Sequence, residues 1–372
     1  MRIAPPEIHS ARLNALRTAL DRSGLDVLVV TSLPNIAYLT GFFASAAALI
    51  ATGSELRLIS DGRYAEVLAE RARDFSPIRP IELPSGASYD HGVADALAPL
   101  RGLRTGFEAG HLTVRRHQFL TTQLESAGWR DGLIATDDIV DGLRICKDGW
   151  EAGRLRDGGE RLSTVAKCIL SNVLAGRTEA DVAADIDAAL RRAGFERPAF
   201  DTIVAAGPNA ARPHGRAGQR RIEPGELVVI DFGGVLDGYC TDLTRTVIAG
   251  PDEPRGRRLI EQVIEAQAAA FAAVRPGVEP EAVDTAARES LGRAGLAEAF
   301  THGTGHGLGL EIHEAPRVSK RRAGQVEPPL AAGMVLTLEP GAYFAGWGGV
   351  RIEDDVLVTE DGAEWLTDVP RA

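Results

Sequence analysis

Hydrophobic positions change their period along the chain, and those changes divide it in two. Over 12–22 apolar residues recur at helical spacing, and an apolar run at 26–31 (DVLVVT) follows, the pattern of a surface helix feeding a buried strand. Further strands are predicted at 46–52 and 56–60, with helices over 64–73, 93–100 and 115–126. That alternation describes a small α/β domain. Near 140–150 the pattern shifts to two long helices, 150–175 and 178–193, the second with Thr178 in the N-cap position. Strand–turn–strand patterns then mix with helices over 255–274 and 280–294, which is an α+β arrangement. The chain therefore reads as two domains, 1–145 and 146–372, in keeping with a length of 372 residues, too many for one typical core. The span 207–225 is rich in Pro, Gly and Arg and reads as a long loop, a feature often tied to function.

Composition adds exclusions. With 44% hydrophobic and 25% charged residues the chain resembles an ordinary soluble globular protein. A net charge of −11 argues against nucleic acid or an anionic membrane as the main partner. No stretch approaches the length of an apolar transmembrane helix. The opening MRIAPPEIHSARL has prolines and polar groups where a signal peptide needs an apolar run. Cys146, Cys168 and Cys240 make an odd set with no metal-ligand spacing, which fits a reducing cytoplasm better than a disulfide framework.

The chemistry lies in the second domain. In LVVIDFGGVLDGYCTDLTRTV (227–247) an apolar strand ends at Asp231 and a Thr-rich strand carries Asp242, with the Asp237–Gly238 turn signal between them. A simple hairpin centred at Leu236/Asp237 would set the two carboxylates directly opposite each other, roughly 4.5–5.5 Å apart at Cβ. Two such acids repel unless a cation lies between them. Taken alone, the same segment reads equally well as a solvent-facing hairpin. A second segment, MVLTLEPGAYFAGWGGVRIEDDVLVT (334–359), repeats the logic, with Glu339 and Glu353 symmetric about Gly346. Alternation puts Arg351 on the face of Glu353, where it would hold either a substrate carboxylate or a neighbouring acid. Between these hairpins, THGTGHGLGLEIHE (301–314) sets His302, His306 and His313 among glycines that argue against a helix, so this is not an HExxH site. His214 lies in the Pro/Gly loop, and Cys240 beside Asp242 reads as packing, on the face of Asp242.

Four carboxylates and one imidazole form an oxygen-rich donor set suited to Mn²⁺ or Co²⁺ rather than a thiolate zinc site. With bridging carboxylates, five ligands suffice for two ions about 3.5–4 Å apart, a centre that activates water and polarises a carbonyl. The residues thus describe a dinuclear hydrolase without fixing the bond it cuts.

The order Asp231, Asp242, His306, Glu339, Glu353, with the motifs GYCTDLTRT, HGTGHGLGLEIHE, LEPG and GVRIED, resembles the pita-bread metallopeptidases over about 150–368. PNIAYLTGFF (34–43) is similar to the creatinase-type N-terminal domain and points to the Xaa-Pro aminopeptidase and prolidase branch. The resemblance implies an α+β fold, a pita-bread catalytic domain preceded by a smaller α/β domain. It implies that Asp231 binds one metal, that Asp242 and Glu353 bridge both, and that His306 and Glu339 bind the other. Glu339 would also take a proton from the water, His313 would steady the tetrahedral intermediate, and His214 would lie near the scissile amide. His302, Tyr343 and Arg351 would line the substrate site or orient its ligands.

The expected cofactor is a pair of divalent ions, Mn²⁺ first and Co²⁺ or Zn²⁺ as alternatives. The expected partners are proline-containing peptides and, by analogy, a second copy in a homodimer. Xaa-Pro aminopeptidase is the leading expectation and Xaa-Pro dipeptidase the alternative. A non-enzymatic binding module conflicts with the retained ligands, and a two-metal phosphoesterase with the negative charge. One segment departs from the family pattern: KDGWEAGRLRDGG (147–159) holds four glycines where a firm helix usually begins.

Overall fold

The computed structural model describes residues 1–171, 175–321, 324 and 327–371. It divides into two compact units, Arg2–Arg144 and Ile145–Ala372, Met1 being grouped with the second. In the first unit the elements run α1 (Pro6–Ser23), β1 (Val27–Val30), α2 (Leu33–Thr40), β2 (Ala48–Thr52), β3 (Leu56–Asp61) and α3 (Ala65–Asp74). They continue with β4 (Ile78–Leu83), α4 (Tyr89–Leu97), β5 (Thr105–Glu108), α5 (Val114–Ser126), β6 (Ile134–Thr136) and α6 (Ile139–Arg144). The six strands form one mixed sheet in the order β4-β3-β2-β1-β5-β6. This half is α/β as its alternation predicts, but α2, α6, β4, β5 and β6 carry weak patterns that do not predict them. The α2 helix is only eight residues long and is recognisable afterwards by its Ser32 N-cap and the left-handed Gly41 that ends it.

The second unit opens with α7 (Gly149–Leu170) and α8 (Glu179–Arg192). The helix expected over 150–175 thus ends earlier, and positions 172–174 lie outside the described residues. Thr178 caps α8 through a reciprocal box with Asp181, and Asp148 caps α7 in the same way with Glu151. The glycines of α7 do not loosen its start. A Cβ at Gly158 would meet Thr241 Cγ2 at 2.6 Å, and one at Gly159 would meet Leu366 O at 2.0 Å. Gly158 and Gly159 let the helix approach its neighbours closely, whereas Gly149 and Gly153 have open space at Cβ.

Next come β7 (Arg197–Pro198), β8 (Ile203–Ala206), β9 (Leu227–Phe232), β10 (Gly234–Leu236), β11 (Tyr239–Cys240) and β12 (Leu243–Ile248). After α9 (Pro254–Ala273) and α10 (Pro280–Arg293) lie β13 (Gly305–Gly307), β14 (Glu314–Val318), β15 (Val335–Leu338), β16 (Gly341–Phe344), β17 (Gly348–Arg351), β18 (Asp354–Val358) and β19 (Ala363–Trp365). Val228, Ile230 and Phe232 of β9 share a core with Leu162, Val165 and Ile169 of α7 and Val182, Ile186 and Leu190 of α8. Leu336, Leu338, Val356 and Val358 share another with Val263, Ala266 and Ala270 of α9 and Val283 and Ala287 of α10. Because strand side chains alternate, Asp231, Thr337, Glu353 and Asp355 must face away from the helices. These strands therefore pack one face against helices and turn these acids to the other. The bridge between Thr244 and Glu353 joins the acid-bearing strands.

Candidate metal centre

The two predicted acid hairpins turned out differently. For the second, the register is the one its midpoint implies: Leu338 pairs with Asp354 and Gly341 with Arg351, which brackets Glu339 and Glu353 symmetrically about Gly346. For the first, the turn is centred one residue later. Asp237 and Gly238 both adopt positive φ (52° and 84°), as a two-residue type I′ turn demands. Val235 then pairs with Cys240 and Asp231 with Thr244. Asp231 and Asp242 are diagonal neighbours on one face, not directly opposite residues.

Side-chain donors converge nonetheless. Ligand atoms of Asp242, His306 and Glu353 lie within 4.8 Å of one another. His306 Nε2 is 3.9 Å from Asp242 Oδ2 and 3.7 Å from Glu339 Oε1. Its Nδ1 lies 3.0 Å from the Gly307 carbonyl, which can only accept, so Nδ1 carries the proton and Nε2 presents its lone pair to the acids. Burial, then the neighbouring His313, lowers the His306 pKa to about 4 and keeps the ring neutral. These are the tautomer and charge state that a metal-binding imidazole needs.

The carboxylates show the opposite strain. Burial, and then the charges of Glu353, Asp231, Asp355 and Glu339, push Asp242 well above the usual carboxylate range. Burial does the same to Glu353, reinforced by Glu339 and Asp231, and burial lifts Glu339 to about 7. Asp231 Oδ1 and Asp242 Oδ1 are buried without a hydrogen-bond partner. Buried, unpartnered carboxylate oxygens beside a neutral imidazole are a donor set that divalent cations would satisfy, so the residues present fit the expected ions.

Around this set a chain of polar contacts fixes orientation. Arg351, 3% exposed, donates from Nη2 to Asp231 Oδ2, from Nε to Thr244 Oγ1 at 3.2 Å, and from Nη1 to Tyr343 Oη at 3.0 Å. Of the two roles open to Arg351, the structure shows the grip on a neighbouring acid. Nη1 also donates to the Pro213 carbonyl at 3.1 Å, which anchors the loop carrying the exposed His214. Tyr343 Oη lies 2.9 Å from His302 Nε2, whose ring is protonated at Nδ1 by its contact with Gly303 O at 2.8 Å, so the tyrosine donates. Burial first, then Arg351, lowers His302 to about 4. His313 is exposed, with its ring edge-on to His306 at 4.4 Å. Cys240 packs as expected; burial lifts its thiol to about 12.

Several residues here were not singled out in the sequence. Thr244 donates to Glu353 Oε2 at 2.6 Å, and Asp355 Oδ2 accepts the Asp242 amide at 3.0 Å. Asp284 of α10 accepts from the amide and hydroxyl of Thr304, whose carbonyl in turn accepts the Glu339 amide at 2.7 Å. Arg317 pairs with His306 across β13–β14 and stands exposed beside the centre. The acidic triplet Glu353-Asp354-Asp355 inside an apolar strand was the available signal, because buried acids require partners.

Comparison with known proteins follows the same division. Residues 153–360 match the model of metallopeptidase family M24, and residues 12–146 that of the creatinase/prolidase N-terminal domain. An Xaa-Pro dipeptidase of Pyrococcus horikoshii is 31% identical over 366 residues, 98% of this chain and 99% of that protein. The structure of an Xaa-Pro dipeptidase from Bacillus anthracis superposes with a TM-score of 0.89 at 31% identity, covering 98% of this chain and 99% of the other. An X-Pro aminopeptidase from Thermotoga maritima gives 0.85 at 31% identity, covering 97% and 98%. Among the described residues no helix is long and apolar enough to cross a membrane.

Proposed function

The chain belongs to metallopeptidase family M24, with a creatinase/prolidase-type N-terminal domain, and on that premise we propose that it is an Xaa-Pro dipeptidase whose metal ligands are Asp231, Asp242, His306, Glu339 and Glu353. Its class is that of a metallo-exopeptidase. The observation that carries the ligand set is the convergence of Asp242, His306 and Glu353 within 4.8 Å, with Glu339 3.7 Å from His306. Two divalent ions, Mn²⁺ by donor hardness, would supply Lewis acidity for activating water and polarising the scissile carbonyl.

The protein's own groups account for the rest. Glu339, whose Oε1 lies 3.7 Å from His306 Nε2, would accept a proton from the attacking water and return it to the leaving nitrogen. His313 is at the rim beside His306, where an N–H can donate to an oxyanion. His214, carried by the loop that Arg351 holds through the Pro213 carbonyl, would meet the substrate amide from the loop side. Arg351, Tyr343 and His302 hold one another and Asp231 in position.

Aminopeptidase was the leading expectation from sequence, and the relatives favour the dipeptidase alternative, since the P. horikoshii and B. anthracis proteins that match nearly end to end are both named Xaa-Pro dipeptidases. The exposed Arg317 supports the same choice, because a dipeptide offers a free carboxylate close to the scissile bond and a longer peptide does not. Reconstitution with Mn²⁺ followed by assay on Xaa-Pro and Xaa-Pro-Xaa tests the reading. Preference for the dipeptide is expected. Equal turnover of both returns the protein to the aminopeptidases, and turnover of neither defeats the Xaa-Pro assignment altogether.

A further inference from the structure

A buried polar cluster lies behind Glu339 and Glu353, on the side away from the other carboxylates. Its hub is Asp354, which alternation turns to the face opposite Glu353. Arg245 donates to Asp354 Oδ1 at 2.7 Å, and Thr367 Oγ1 donates to the same oxygen at 2.6 Å. Gln267 Nε2 donates to Asp354 Oδ2 at 3.0 Å, and Arg371 Nε does so at 3.1 Å.

The same donors reach the metal-ligand backbone. Arg245 Nη1 donates to the Glu353 carbonyl at 2.6 Å and to the Thr244 carbonyl at 2.9 Å. Its Nη2 and Nε also bind the carbonyls of Val369 at 2.8 Å and Pro370 at 3.0 Å, which engages all five guanidinium N–H groups. Gln267 Nε2 donates to the Leu338 carbonyl, the one preceding Glu339, at 3.0 Å. Arg371 completes the circuit by donating to Gln267 Oε1 at 2.7 Å and lying 4.3 Å over the Trp365 ring, itself stacked on Phe271 at 4.0 Å.

A buried arginine–aspartate pair gains little stability over an apolar packing of the same volume. What this one does is tie the backbone at both glutamates to a single segment. We propose that Thr367–Arg371 is a latch that sets the metal affinity of the centre, with Arg371 and Thr367 acting as positioning residues for Glu353 and Glu339 through Asp354, Gln267 and Arg245. The inference rests on the assignment of Glu353 as a ligand. Outer-shell contacts of this kind are worth roughly 10- to 100-fold in metal affinity.

The test is calorimetric titration of Mn²⁺ into the full-length, metal-stripped protein and its Arg371→Ala, Arg371→Lys, Thr367→Val and Glu353→Gln variants, each checked by circular dichroism. Arg371→Ala and Thr367→Val are expected to bind Mn²⁺ roughly tenfold more weakly while remaining folded, with partial recovery in Arg371→Lys. Wild-type affinity in both folded variants overturns the latch. If Arg371→Ala does not fold, wild-type affinity in Thr367→Val and Arg371→Lys overturns it equally. Wild-type affinity in Glu353→Gln would instead discard the ligand assignment, which separates the two failures.

Discussion

Thr244 and Glu353 grip each other twice: the threonine hydroxyl donates to Glu353 Oε2 at 2.6 Å, and the Glu353 amide donates to the Thr244 carbonyl at 3.1 Å. The hydroxyl also accepts from Arg351 Nε at 3.2 Å, so one side chain links a carboxylate of the centre to the arginine that holds Asp231. Thr244→Val keeps the shape and the backbone bond and removes both hydroxyl contacts, to Glu353 and to Arg351. Mn²⁺ affinity should fall about 10-fold or more, as loss of outer-shell partners generally produces. Equilibrium dialysis against Mn²⁺ measures this, and an unchanged dissociation constant would show that Glu353 needs no such support.

Glu339 is the carboxylate proposed to shuttle the proton, with Oε1 3.7 Å from His306 Nε2. Glu339→Gln retains an oxygen donor and loses the base. A drop in kcat of about 10²–10⁴ is expected. A variant that still binds Mn²⁺ but keeps full turnover would move the proton-transfer role elsewhere.

The metal-free protein should respond to pH in a direction fixed by these shifts. His302 and His306 fall to about 4 when folded, below an unfolded value near 6.5, so they add stability as pH rises through that window. Above about pH 6.5 they are neutral in both states and contribute no further slope. Glu339, Asp242 and Glu353 are shifted upward, so the folded state there holds protons that the unfolded chain has released. Stability must therefore fall as pH climbs from 6.5 toward 8. Urea midpoints of the metal-free protein at several pH values provide the check, and Mn²⁺ should flatten the decline. A rising midpoint over that range would contradict the burial of the acids.

Arg317→Gln isolates the basis of dipeptide preference. A charge-assisted contact to a free carboxylate is worth about 1.5–3 kcal/mol, so kcat/KM on Xaa-Pro should drop roughly 10- to 100-fold. The same variant should treat Xaa-Pro amide much as the wild type does. Equal losses on acid and amide would remove Arg317 from carboxylate recognition.

How much of this centre the sequence disclosed depended on the range of the contacts. The Glu339/Glu353 register was readable because a glycine midpoint and alternation are local, and the structure pairs Leu338 with Asp354 accordingly. The Asp231/Asp242 register was misjudged by two positions because the turn prefers Asp237–Gly238, where both residues take positive φ. Nothing in the pattern of its strand distinguishes Arg245. Its partner, the Glu353 carbonyl, lies 108 residues further on, and no periodicity reports such a meeting. Asp354 and Asp355 were visible as acids in an apolar strand, but their separate duties appear only once the strand has two packed faces.

The glycines of α7 show the same limit and yield the last prediction. By helix propensity alone, Gly159→Ala should stabilise the protein by about 1 kcal/mol. The structure reverses that sign. A Cβ at Gly159 would meet Leu366 O at 2.0 Å, and that atom is backbone, so α7 or the strand-end segment must move. Overpacking of this kind costs about 1–3 kcal/mol. The movement would also reach the centre, since the Leu366 amide donates to the Asp355 carbonyl at 2.8 Å and Asp355 holds the amide of Asp242. Gly159→Ala should therefore lower both the urea midpoint and Mn²⁺ affinity. Gly153→Ala has open space at its Cβ and should lower neither. If the two variants behave alike, the close approach of α7 does not determine the geometry of the site.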